Sequence, residues 1–239
     1  LLVTLLFVIT IKLEVTPTKI IFFDELLSNV YWSYIFTVFC LMILINGSNF
    51  IDGLNGLLLG YFGLIILILF QQELLHLTDF SEKKLFYFIC VIFFVLILNF
   101  FNKLFLGDGG AYSLSFLIGL LLIKIYNFNQ NVSPYFIILL LWYPCFENLF
   151  SIVRKIMIKA NPLDPDTGHI HQKLFIVFKK RFNMNNFKSN TLSSILILMT
   201  NFVIFFIASY EISHSFFQIC LLGLSVLLYL IVYKLLDKL

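Results

Sequence analysis

Residues 85–101 read LFYFICVIFFVLILNFF, a run with no charged side chain and one amide, Asn99. A helix crossing the hydrocarbon of a bilayer needs about 20 predominantly apolar residues, in a range of about 17–25. Similar stretches lie on both sides of it, at Leu26–Ile45, Leu54–Phe70, Tyr112–Phe128, Pro134–Val153, Leu192–Ala208 and Phe216–Tyr233. Across all 239 residues, 61% are hydrophobic and only 12% charged, with mean hydropathy +0.99. A soluble domain carries about 25% charge, so lipid is the solvent for much of this chain. The expected fold is all-α: a polytopic transmembrane helix bundle of about seven full spans plus one partial N-terminal span. No repeat or low-complexity linker divides it, so residues 1–239 are expected to form a single integral-membrane domain.

The partial span is Leu1–Ile11, which opens without Met and has neither the basic region nor the cleavage site of a signal peptide. It reads as the tail of a helix whose beginning is missing. The four cysteines (Cys40, Cys90, Cys145, Cys220) each sit inside an apolar run without CxxC spacing. They read as small core hydrophobes.

Alternating the spans sorts the connections onto two sides. One side receives Lys103, Arg154, Lys155, Lys159, Lys173, Lys179, Lys180, Arg181, Lys188, Lys234 and Lys238. The other receives Lys12, Lys19, Lys83, Lys84 and, near a helix end, Lys124. The basic excess makes the first side cytoplasmic by the positive-inside rule. One long loop supplies most of that excess.

The same alternation puts three polar clusters on that side: Asn46-Gly-Ser-Asn-Phe-Ile-Asp-Gly-Leu-Asn-Gly56, Phe105-Leu-Gly-Asp-Gly-Gly-Ala111 and Asn161-Pro-Leu-Asp-Pro-Asp-Thr-Gly-His-Ile-His171. Asn46, Asn49 and Asp52 recur every three residues, which keeps polar side chains roughly on one helix face. Their bland reading is a polar turn between helices, but an ionisable group at a membrane boundary is usually functional. Asp108 lies among Gly107, Gly109 and Gly110, an uncrowded carboxylate suited to a hard cation that also touches phosphate. Gly-Asp-Gly-Gly alone is equally a plain turn, and Phe105 is one of 30 Phe. His169 and His171 at i and i+2 do not share a helix face, which excludes a HExxH-type zinc site. Their imidazoles suit hydrogen bonding to phosphate oxygens. Glu147 lies within an apolar span, three residues after Pro144 and two turns before Arg154. There it suits a structural anchor and a functional group equally. His76 and His214 have no assigned role.

In this order and spacing, the clusters resemble the polyprenyl-phosphate N-acetylhexosamine-1-phosphate transferases, of the glycosyltransferase family 4 type. Asn46–Gly56 is similar to that family's Asn-x-x-Asn-x-x-Asp-Gly-x-x-Gly signature, and Phe105–Ala111 to its Phe-Met/Leu-Gly-Asp-x-Gly segment. Asn161–Gln172 is similar to its Ser-Pro-x-x-Pro-Asp-x-x-His-x-His loop, and Pro144, Glu147 and Arg154 fit the span leading into it. The resemblance implies transfer of an N-acetylhexosamine-1-phosphate from a UDP-sugar to undecaprenyl phosphate with release of UMP. It implies Mg2+ on Asp108, catalytic roles for Asp52, Asp108, His169 and His171, and substrate contacts from Asn46, Asn49, Phe105 and Gly107, with Phe105 stacked on uracil. The implied partners are a UDP-N-acetylhexosamine, undecaprenyl phosphate and the lipid bilayer, with a second copy of the chain as a further candidate and no nucleic acid. The implied location is the bacterial cytoplasmic (inner) membrane, multi-pass, with the site on the cytoplasmic face.

The chain departs from the family in four places. The family's Asp-Asp-x-x-Asp motif would precede Leu1, so this stretch on its own is expected to release no UMP. Asn55 stands where many members have a second Asp, and Gln172 where many have a further His. Both substitutions are similar to the branch serving O-antigen and capsule assembly. An Asn that the family places about ten residues before the metal Asp is matched by Asn99, one place out of register.

Two rival readings remain at this stage. A phospho-N-acetylmuramoyl-pentapeptide transferase is expected to keep the Asp where Asn55 stands. A transporter or membrane scaffold should place ionisable residues near the midplane and show repeated halves.

Overall fold

The computed structural model describes all residues except 16, 78–81, 130, 160–167 and 239, and every α-helix or turn of 3-10 helix among them is joined by loops, with no strand. The helices are α1 (Leu2–Ile11), α2 (Ile21–Leu27), α3 (Val30–Ile51), α4 (Leu57–Gln71), α5 (Glu82–Phe100), α6 (Gly107–Phe128), α7 (Pro134–Leu140), α8 (Trp142–Met157), α9 (Ile170–Lys180), α10 (Asn186–Ala208) and α11 (Ser215–Asp237). Five of the seven expected full spans are helices long and apolar enough to cross a membrane, carried by α3, α5, α6, α10 and α11. The chain is a multi-pass helical membrane protein.

The other two expected spans take different forms. The stretch Leu54–Phe70 becomes α4, only 15 residues long, or about 22 Å at 1.5 Å per residue. It is enclosed rather than lipid-facing: Leu57, Leu58, Tyr61, Phe62, Ile65 and Ile68 are all fully buried. Helix α5 is its opposite. Phe86, Tyr87, Val91, Phe93, Phe94 and Ile97 are exposed along it, as an apolar helix facing lipid requires.

The stretch Pro134–Val153 is broken at Leu141 into α7 and α8, which meet at 74°. Pro144 is the local cause, because it lacks the N–H that would donate to the carbonyl of Leu140. The abandoned carbonyl is not left bare. Tyr61 Oη, fully buried on α4, donates to Leu140 O at 2.9 Å and accepts from Tyr143 N at 3.4 Å. A residue about 80 positions away thus completes the backbone of the break, as a low-dielectric interior demands.

Beyond the break, α8 packs against α3 along a seam of small and polar side chains. A Cβ on Gly47 would overlap the Pro144 carbonyl, so glycine sets how closely the two backbones approach. Asn148 Nδ2 donates to Ile43 O at 3.3 Å, and Glu147, Ser151 and Lys155 are buried at four-residue spacing on the inner side of α8. Helix α11 closes the other side through ring contacts: Phe146 with Tyr229 and Phe150 with Tyr233, each at 4.9 Å. Trp142 Nε1 donates to Asn201 Oδ1 of α10 at 2.9 Å. His214 caps the N-terminus of α11, its Nδ1 accepting Phe217 N at 3.2 Å.

Candidate active site

Helix α3 continues through the first cluster to Ile51, so Asn46 and Asn49 stand on its last turns rather than in a loop. Asn46 is exposed, whereas Asn49 and Asp52 are half-buried. Asp52 ends the helix, its N–H bonded to Ser48 O at 3.1 Å. Gly56 then has φ +75°, which a non-glycine residue adopts only with strain. Its N–H donates to Asn99 Oδ1 at 2.5 Å, and Asn99 Nδ2 donates to Leu104 O at 2.8 Å.

Asn99, 4% exposed near the end of the largely lipid-facing α5, therefore ties the first cluster to the segment that opens the second. Asn55 adds a parallel tie, its amide donating to Asn102 Oδ1 and its N–H to Asn190 Oδ1 at 2.9 Å. The position where many members of the resembled family carry a second Asp here links two connecting segments and the first turns of α10.

Asp108 is exposed in the first turn of α6, where a negative charge complements the helix dipole. Gly107 has φ +66°, and a Cβ on Gly107 or Gly109 would meet nothing within 4 Å among the described residues. Those residues leave the space over this helix end open. Phe105 stands beside it with 71% of its surface exposed. Asp52 and Asp108 feel each other: burial, and then the Asp108 charge, push the Asp52 carboxyl up to about 7. Among the described residues no three His, Cys, Asp or Glu gather as a closed metal cage. A pair of carboxylates beside an open volume is what magnesium takes when water and phosphate oxygens complete its shell. The residues present fit that ion.

The third cluster is described only from Gly168 onward; Asn161–Thr167 lie outside the described residues. His169 is the N-cap of α9 and His171 lies in its first turn, with 3% and 0% of their surfaces exposed. Their rings stack at 5.4 Å and 11°. His169 also lies 5.0 Å from Phe50, and His171 Nε2 sits against Gly53, so the histidines close on the end of α3. Burial lowers the His171 pKa to about 4, against the opposing pull of Glu147. Among the described residues neither ring nitrogen of His171 has a hydrogen-bond partner. Glu147 reaches this layer from inside α8: Oε2 lies 2.8 Å from His169 Nδ1, and Oε1 accepts Ile170 N at 3.2 Å. Arg154 packs against Gly168, where any Cβ would overlap its guanidinium.

The structure thus gathers Asp52, Asp108, His169 and His171 at one end of the bundle, with Asn49 beside them. Asn46 and Phe105 stand at the exposed margin. Phe50 was missed from sequence, since nothing sets it apart from the other phenylalanines.

Comparison with known proteins bears on this arrangement. Residues 1–126, more than half of the chain, match the model of glycosyl transferase family 4. The chain belongs to that family. The matched part of this family 4 chain holds the first two clusters and stops before Glu147 and the histidines.

Among curated relatives, this family 4 chain is 32% identical over 149 residues to the probable undecaprenyl-phosphate N-acetylglucosaminyl 1-phosphate transferase of Bacillus subtilis, covering 60% of the chain and 41% of the relative. It is 31% identical over 169 residues to the decaprenyl-phosphate N-acetylglucosaminephosphotransferase of Mycolicibacterium smegmatis, covering 59% and 40%. It is 28% identical over 167 residues to the undecaprenyl-phosphate alpha-N-acetylglucosaminyl 1-phosphate transferase of Thermotoga maritima, covering 67% and 52%. The chain spans about two fifths to one half of the length of these relatives. No solved structure matches it.

Proposed function

We propose that the protein containing this chain transfers an N-acetylhexosamine-1-phosphate from a UDP-sugar to undecaprenyl phosphate at the cytoplasmic face of a bacterial inner membrane. The observation that carries this reading is the meeting of Asp52, Asp108 and the two histidines at one open end of an apolar bundle. The names of the relatives agree with it, and all three describe transfer to a polyprenyl phosphate.

The arrangement suits phosphoryl transfer, which asks for positioning and charge stabilisation more than for covalent chemistry. The acceptor phosphate lies at the membrane surface because its polyprenyl tail is in the bilayer, and α3, α6 and α8 bring their polar ends to that level. Phe105 offers an exposed ring face on which uracil can stack. The open volume over Gly107 and Gly109 admits a pyrophosphate close to the backbone. Asn46 and Asn49 supply amide donors from the last turns of α3. His171, which has no hydrogen-bond partner at either nitrogen among the described residues and whose burial favours the neutral ring, has one N–H to give to a phosphate oxygen. Asp108, with Asp52 beside it, would hold Mg2+, whose charge neutralises the pyrophosphate oxygens when it is bound.

The test is release of UMP by the full-length protein in nanodiscs, given UDP-N-acetylglucosamine or its epimer, undecaprenyl phosphate and Mg2+. We expect UMP and a lipid-linked sugar phosphate, and no UMP without the lipid. Asp108→Asn should lower kcat by roughly 10²–10³-fold without changing expression, since an exposed carboxylate holds up no core. UMP from neither sugar, or an Asp108→Asn variant near the parental rate, would refute the assignment.

A further inference from the structure

We infer that Glu147 is a positioning residue, which holds a proton on Nδ1 of His169 and so makes Nε2 the nitrogen that exchanges protons with substrate. The catalytic half of this inference rests on the proposed transfer reaction.

Glu147 is 1% exposed, on the buried side of α8. A carboxylate there needs partners for both oxygens, and the structure provides them from a single turn. Oε1 accepts the N–H of Ile170, the first residue of α9, at 3.2 Å. The N-cap of α9 is His169, whose own side chain makes no capping bond. Glu147 takes over that duty from another helix. Its second oxygen, Oε2, lies 2.8 Å from His169 Nδ1.

The donor and acceptor chemistry of these groups then fixes a tautomer. A backbone N–H only donates, and an ionised carboxylate only accepts. Opposite an ionised Glu147, Nδ1 therefore carries a hydrogen, and Nε2 is left as the nitrogen that exchanges a proton. Turning the ring over would set Cδ2 in place of Nδ1 against Oε2 and forfeit the 2.8 Å contact, so the observed ring orientation, between Phe50 and His171, is the bonded one. A carboxylate behind an imidazole serves the same purpose in hydrolytic triads, where it selects the tautomer and does not itself take the proton.

Glu147→Gln inverts this logic with almost no change of shape. Ile170 N–H still needs an acceptor, so the amide oxygen faces it. The NH2 group is left facing His169 Nδ1, and two donors cannot meet. Nδ1 must give up its hydrogen, which moves to Nε2.

The readout is the 15N signal of His169 Nδ1 in histidine-labelled protein at pH 8, identified as the signal lost in His169→Gln. We expect Nδ1 to be protonated in the parent and bare in Glu147→Gln, with the signal of the distant His214 unmoved. In UMP release, Glu147→Gln should lower kcat by at least 100-fold and leave the KM for the UDP-sugar within about threefold. A bare Nδ1 in the parent overturns the inference, and this measurement stands even if the variant does not fold. A protonated Nδ1 in Glu147→Gln, or an undiminished kcat, overturns it too. The spectra need no turnover. A parent that shows the expected Nδ1 but transfers no sugar phosphate would support the positioning role and sink the reaction.

Discussion

Asn99 accepts the N–H of Gly56 at 2.5 Å, a contact that ties the first polar cluster to the end of α5 although α4 and nearly all of α5 lie between them in sequence. The same amide donates to Leu104 O at 2.8 Å, so a single buried side chain orders the loops carrying Asp52 and Asp108. Asn99→Ala would strand a donor on one loop and an acceptor on the other, each costing about 1–3 kcal/mol when buried. We expect a clear fall in Tm in detergent and at least a tenfold fall in transferase kcat. Asn99→Asp keeps the acceptor for Gly56 but not the donor, and should fall between. Parental Tm and activity in Asn99→Ala would refute the role.

Tyr61→Phe tests the completion of the break between α7 and α8. The substitution removes one oxygen and leaves the ring in place, so packing is preserved. Leu140 O loses its donor and Tyr143 N its acceptor, both in a dry interior. A loss of about 1–3 kcal/mol follows, measurable as reduced resistance to denaturant. Changing Leu140 and Tyr143 themselves could not reveal this, because the bonded groups are backbone. Unaltered stability would mean that another donor reaches the break.

Some of this architecture stands plainly in the sequence, and some does not. Spans were readable because lipid selects apolar composition whatever the helix packs against, so α3, α5, α6, α10 and α11 announce themselves. That signal does not distinguish a helix facing lipid from one enclosed by protein, which is why α4 read as a full span. Pro144 is a local signal for a break, but Tyr61, which makes the break tolerable, belongs to another helix and carries no mark. Among the site residues, Asp52, Asp108 and the histidines stood out as costly side chains in an apolar chain. Glu147 was equally visible, but its role depends on which turn lies opposite it, a long-range fact. Asn99 looked like a motif residue out of register; the structure gives it the task of bonding two loops.

The pH dependence of stability should report His171. Burial brings its pKa from 6.5 down to about 4, with Glu147 pulling the other way and neighbouring His169 pushing it further down. A histidine lowered in the fold favours the folded state above its unfolded pKa. That contribution is lost as the pH falls from about 6.5 to about 4, because the unfolded chain then takes up a proton that the fold refuses. The full loss is on the order of 3 kcal/mol. In His171→Leu, denaturant midpoints should therefore decline less than in the parent across this window, with the two converging in slope above pH 7. Identical pH profiles would show that His171 is charged, or solvated, in the fold.

Sidedness can be tested by cysteine labelling, if the reporter positions are chosen from the structure. Ser48 is tempting, since it lies within the first cluster, but it is fully buried in α3 and a cysteine there would stay silent on either side. Lys103 is exposed in the connection between α5 and α6, beside the segment that Asn99 holds. Glu211 is exposed in the connection between α10 and α11, on the side that the basic residues avoid. With Cys40, Cys90, Cys145 and Cys220 replaced, Glu211→Cys should react with a membrane-impermeant maleimide added to intact cells. Lys103→Cys should react only after the membrane is opened. Both positions carry charged side chains in the parent, so both are wetted by water and their thiolates are available to react. The positive-inside argument leans on one long loop, and neither reporter lies in it, so the outcome is independent of that loop. Labelling of Lys103→Cys from outside, with Glu211→Cys protected, would reverse the orientation. It would also put the polar end of the bundle on the side of the membrane where no UDP-sugar is made.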